Sequence, residues 1–135
     1  MKILLVEHSW PVRERLRSLI TAIPHALLVA QASSGAAARS HLADHRPALV
    51  VMDPCLRAGG GFALISQIKA LQPSCIIIVL TNQVYPEYQT RCRQLGADYF
   101  FDKSKETIAF VALLTGLCHE RSDVLHACKV CSHGH

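Results

Sequence analysis

Apolar positions along this chain fall into two alternating patterns, short unbroken blocks and longer stretches with helical spacing. The first block, Lys2-Ile3-Leu4-Leu5-Val6, predicts a strand that ends at Glu7-His8-Ser9. Ser9 is placed to cap a helix whose first turn holds Trp10-Pro11. Val12, Leu16, Leu19, Ile20 and Ile23 then recur every three or four residues, until Pro24-His25 ends the helix. A second strand is expected over 27–30 and an alanine-rich helix over 36–44, with a turn at Arg46-Pro47.

The block Leu49-Val50-Val51-Met52 runs directly into Asp53, and Pro54 follows. Four apolar residues without a polar break read as a strand buried on both faces, as in the middle of a parallel sheet. Three glycines, Gly59 to Gly61, predict a mobile loop before a helix marked by Phe62, Leu64, Ile65, Ile68 and Leu71. Another buried strand is expected over 75–80, ending at Thr81-Asn82. A polar helix follows over 86–95, closed by Gly96, then a strand at Tyr99-Phe100-Phe101 ending in Asp102-Lys103. Ser104 is the expected N-cap of a last helix reaching about His119, with Thr107 at the capping-box position. Five strands alternating with five helices give an α/β fold with a parallel sheet and right-handed crossovers.

Composition narrows this picture. With 135 residues, half of them hydrophobic and 18% charged, the chain is expected to form one domain with a real core. No apolar run approaches the roughly 20 residues that span a bilayer, and no signal-peptide layout follows Met1-Lys2, so a cytoplasmic protein without a membrane partner is expected. The formal charge of +4 is dispersed; Glu14 interrupts Arg13, Arg15 and Arg17, and no basic stripe with aromatics predicts nucleic-acid binding. Cys55, Cys75, Cys92 and Cys118 sit in periodic segments and are expected to be reduced and mostly buried.

Chemistry is expected where strands end. Parallel strands put their carboxyl ends on one rim, and there stand Glu7-His8, Asp53, Thr81 and Lys103. An Asp at that position is either functional or a simple turn cap. Two close carboxylates suit a hard divalent cation, a lysine offers a point charge to a phosphoryl group, and an Asp can serve as the nucleophile that accepts one.

This order of residues resembles the receiver domain of bacterial two-component response regulators, over about residues 2–119. The stretch Gly96-Ala97-Asp98-Tyr99-Phe100-Phe101-Asp102-Lys103-Ser104 is its most specific part. The resemblance implies a flavodoxin-like, doubly wound (βα)5 fold with strand order 2-1-3-4-5. It implies Asp53 as phosphoacceptor, Thr81 as switch hydroxyl, Lys103 as phosphate-binding lysine, and Phe100 as the rotating aromatic, unless Phe100 is only a core residue. Glu7 and Asp53 would hold Mg2+. The partners implied are a histidine kinase or phosphotransfer protein and a downstream protein, with dimerisation possible through helix 4, strand 5 and helix 5. The chain is expected to signal as a stand-alone receiver and not as an enzyme.

Departures from the family pattern stand beside this reading. His8 occupies the place of a metal-contacting carboxylate. Imidazole is a poor Mg2+ ligand and a good one for Mn2+ or other transition ions, so weakened metal binding, altered metal preference and tolerated function through Glu7 and Asp53 are all open. The alternative function is a degenerate pseudo-receiver that binds proteins without phosphorylation. Arg57 stands where the family commonly has proline, and Asn82 is larger than usual beside Thr81. Residues 120–135 read as a flexible tail in which His126, Cys128, Cys131, His133 and His135 crowd together. Disorder with incidental ligands, a Zn2+ site and a redox pair are the three readings of that tail.

Overall fold

The computed structural model describes the backbone of residues 1–133 and the side chains of residues 1–121. In chain order the elements are β1 (Lys2–Val6), α1 (Trp10–Thr21), β2 (Leu27–Ala32), α2 (Gly35–His45) and β3 (Leu49–Met52). They continue with α3 (Gly61–Leu71), β4 (Ile76–Thr81), α4 (Pro86–Leu95), β5 (Tyr99–Asp102) and α5 (Thr107–His133). All strand pairs are parallel, and the sheet order is β2-β1-β3-β4-β5. This is the expected doubly wound arrangement.

The apolar blocks dictate the layering. Successive strand side chains point to opposite faces, and every residue of Ile3 to Val6 and of Leu49 to Met52 is fully buried. Leu4, Val6, Val50, Met52, Ile77 and Val79 meet Ala38 and Leu42 of α2, Leu64, Ile65 and Ile68 of α3, and Cys92 of α4. Ile3, Leu5, Leu49, Val51, Ile78 and Leu80 meet Leu16 and Ile20 of α1 and Phe110, Leu114 and Cys118 of α5. Helices cover both faces, so Ile3 to Val6 of β1, all of β3 and Ile76 to Leu80 of β4 can be apolar without a break.

Several boundaries differ from the sequence pattern, for local reasons. β2 extends to Ala32 because it continues to pair with β1 through Val6. Ser34 caps α2 by accepting the Ala37 N–H at 3.2 Å, which starts that helix at Gly35. Gly61 is the first residue of α3 and not loop, and a Cβ there would overlap the Pro54 carbonyl. Ser104 does not cap α5. The Asp102 carboxylate accepts the N–H groups of Ser104 and Lys105, closing a tight turn, while the Glu106 carboxylate accepts the Asp102 N–H. The first helical bond runs from Phe110 N–H to the Glu106 carbonyl, so α5 starts at Thr107. It continues past His119, where the sequence pattern ended it, to His133.

Candidate functional site

Each residue at the rim is placed by a strand pairing. The Asp53 N–H donates to the Val6 carbonyl, the Glu7 N–H to that of Ala32, and the Lys103 N–H to that of Thr81. The sheet ladder thus continues one residue past each strand and fixes where these side chains emerge. The side chains of Glu7, Asp53, Thr81 and Lys103 converge, as their positions at strand ends predicted.

Lys103 is the centre of the cluster. Its Nζ lies 2.6 Å from Asp53 Oδ2 and 3.2 and 3.1 Å from the two Glu7 carboxylate oxygens. The exposures are 10% for the lysine side chain, 1% for Glu7 and 5% for Asp53, so the cluster is largely withdrawn from water. The other Asp53 oxygen, Oδ1, accepts the Cys55 N–H at 2.9 Å, which fixes the carboxylate plane. Thr81 is buried and its hydroxyl oxygen accepts the Gln83 N–H at 3.1 Å. Beside Thr81, the Ser104 hydroxyl donates to the Asn82 side-chain oxygen at 2.7 Å, tying the turn after β5 to the end of β4.

These groups border a cavity of about 290 Å³ whose wall also includes His8, Cys55, Asn82 and Gln83. Two carboxylates face one ammonium there, leaving one formal negative charge in excess. That excess, on two carboxylates that border the cavity, suits a hard cation that keeps part of its water shell. His8 is exposed on the cavity wall. Among the described residues, no group of three His, Cys, Asp or Glu side chains gathers as a metal site.

Cys55 is the neighbour that sequence reasoning left among the structural cysteines. It is half-buried, and its sulfur lies 3.9 Å from the Thr81 hydroxyl. Burial first, and then the negative charge of Asp53, raise its thiol pKa and keep it protonated. Its place two residues after Asp53 was the available signal. Cys75, Cys92 and Cys118 are buried free thiols, as expected.

Phe100 does not line this cavity. It is half-buried on β5 and packs with the cluster beneath α2, α3 and α4, while Phe101 packs on the opposite face. With Gln89, Arg93 and Ala97 it borders a separate cavity of about 190 Å³ between α4 and β5. The side chains of His126, Cys128, Cys131, His133 and His135 lie outside the described residues, so the tail ligand set has no geometry here.

Residues 3–115 match the family model described as the response regulator receiver domain, and the chain belongs to that family. The chain is 34% identical over 109 residues to protein-glutamate methylesterase/protein-glutamine glutaminase 1 of Syntrophus aciditrophicus (81% of this chain, 31% of that one). It is 29% identical over 107 residues to the sensory transduction protein LytT of Enterococcus faecalis (78% and 43%). Among solved structures, a LuxR-family two-component response regulator from Aurantimonas sp. SI85-9A1 superposes with a TM-score of 0.73 at 27% identity, over 85% of each chain. The chain therefore spans about a third to somewhat over half of the length of the relatives it matches. Receiver domains are signalling modules of two-component systems and typically bind Mg2+ at an acidic pocket. Among the described residues no helix is long and apolar enough to cross a membrane.

Proposed function

We propose that Asp53 is the phosphoacceptor of this receiver, taking a phosphoryl group from a phosphohistidine on a histidine kinase or phosphotransfer protein. The observation that carries this reading is the Asp53 carboxylate itself, buried at the end of a central strand and bonded to Lys103 at 2.6 Å beside a cavity. In the transfer, a carboxylate oxygen attacks phosphorus and forms a P–O bond. The P–N bond to the donor imidazole breaks, and its electron pair stays on that nitrogen. Lys103 meets the negative charge on the transferring oxygens, and the Thr81 hydroxyl donates to one of them. A divalent cation held by Glu7 and Asp53 would supply the remaining positive charge. The donor set fits Mg2+, which needs only one or two carboxylates alongside phosphate and water, and His8 on the wall extends the candidates to Mn2+.

Once formed, the acyl phosphate adds about −1.5 to −2 charges beside Thr81 and Lys103 and draws both toward it. Thr81 opens the loop before α4, so the pull acts on α4 and on Phe100 beneath it. The face of α4, β5 and α5 is the surface we propose for the downstream protein or for a second copy. It exposes Tyr99 and Ile108, and α4 keeps only Cys92 buried.

The second reading rests on His8. With Glu7 and Asp53 as the carboxylate ligands, metal binding is weak enough that the chain serves as a phosphorylation-independent interaction module. Incubation with acetyl phosphate in Mg2+, Mn2+ or chelator, followed by intact-mass analysis, separates the two. A metal-dependent gain of one phosphoryl group, absent in Asp53→Ala, is the expected result, and the more effective metal assigns the role of His8. No gain with either metal would leave the interaction module.

A further inference from the structure

Helix α2 carries a second set of metal-ligating side chains, remote in chain position from the Asp53 cluster. His41 and His45 are four residues apart and therefore stand one turn apart on one face of the helix. Their ring centres are 5.7 Å apart and their planes are inclined by 32°. Both residues are half-buried, which restricts the conformations open to the rings.

Metal–nitrogen bonds of about 2.0–2.1 Å place two imidazoles on a tetrahedral ion with ring centres roughly 5 Å apart. The observed 5.7 Å is close to that spacing. Two histidines at this helical spacing are a recurrent zinc-binding pair. Imidazole nitrogen also selects Cu2+ and Ni2+ over the oxygen-seeking Mg2+. Asp44, three residues after His41, adds a nearby negative charge but does not complete a three-ligand group.

We propose that His41 and His45 chelate one late first-row divalent ion, such as Zn2+, Cu2+ or Ni2+, with water at its other positions. The ion bridges the last two turns of α2, just before the helix ends at Arg46 in left-handed conformation. It therefore stabilises the folded state by mass action, because the pair is preorganised only in the helix. The site is chemically distinct from the Asp53 cavity: nitrogen donors and borderline transition ions here, carboxylate oxygens and hard ions there.

The experiment is a Zn2+ titration of the full chain followed by NMR of the histidine ring signals and by the thermal midpoint. It is run on a Cys128→Ser/Cys131→Ser background to remove the competing thiols of the tail. The expected result is a shift of the His41 and His45 ring signals saturating at one ion. The thermal midpoint rises with Zn2+, and His41→Gln or His45→Gln each weakens that binding at least tenfold. Glutamine keeps helix propensity, and circular dichroism verifies that both variants remain folded. Saturation with Zn2+ that leaves these two ring signals unmoved, or that is unaffected by both substitutions, would overturn the proposal.

Discussion

Lys103 compensates two buried carboxylates with one ammonium. Removing the side chain in Lys103→Ala leaves Glu7 and Asp53 facing each other with nothing between them. Breaking a buried ion pair from one side costs about 3–5 kcal/mol, because the surviving charge stays desolvated. The expected outcome is a loss of about 3 kcal/mol in urea unfolding at pH 7, partly restored by millimolar Mg2+ as the cation takes the place of the ammonium. Restoration should be larger in the variant than in the native protein, where Lys103 already competes for the same oxygens. Equal Mg2+ stabilisation of both proteins would show that the lysine does not occupy the cation's ground. Asp53 was legible in the sequence because an apolar run ending in a carboxylate is a local signal. Cys55 stood two residues after Asp53, but its contact with the Thr81 hydroxyl was not legible, since Thr81 lies 26 residues further along the chain.

Among the elements, α3 and α4 are unequal partners on the same face of the sheet. α3 buries Gly61, Leu64, Ile65 and Ile68, whereas α4 buries Cys92 alone. What holds α4 is more peripheral: Phe62 of α3 packs against Tyr88 with ring centres 5.4 Å apart, and the Arg91 guanidinium lies 4.1 Å over the Phe62 ring. Elements with few buried apolar contacts open locally at lower free energy. Backbone amides of α4 are therefore expected to exchange with solvent well before those of α3, read by hydrogen–deuterium exchange with mass analysis. Comparable protection of both helices would contradict this. The polar character of residues 86–95 made a weakly anchored helix legible beforehand. The start of α5 was not, because the Asp102 carboxylate closes its own turn over the Ser104 and Lys105 N–H groups, and the helix begins only after that turn, at Thr107.

At the scale of the whole molecule, free thiols are distributed over both apolar layers. Cys75 and Cys92 lie in the layer covered by α2, α3 and α4, and Cys118 in the layer covered by α1 and α5. Burial pushes the Cys75 and Cys92 thiols up to about 11, and raises Cys118 as well. A raised acid holds its proton in the folded state after the unfolded chain has lost it, so the unfolded chain binds fewer protons over that interval. Stability is thus fully present below the unfolded thiol value of 9.0 and falls as pH rises towards about 11. Urea unfolding between pH 8 and 11 is expected to show that decline, reduced in Cys75→Ala relative to its own value at pH 8. A slope unchanged by the substitution would assign the decline to other groups.

The sequence by itself determined the order of strands and helices, the two-sided burial of β1, β3 and β4, and the polar residues at their ends. Those properties follow from hydrophobic periodicity over a few residues, which needs no knowledge of distant chain. Tertiary structure decided what those ends do together. Lys103 meets Asp53 across 50 residues and Glu7 across 96, through a strand order that local pattern does not encode. It also decided that Phe100 and Phe101, neighbours in sequence, serve opposite layers of the core. The pleat sends adjacent side chains to opposite faces, and only the assembled sheet says which helices wait on each side.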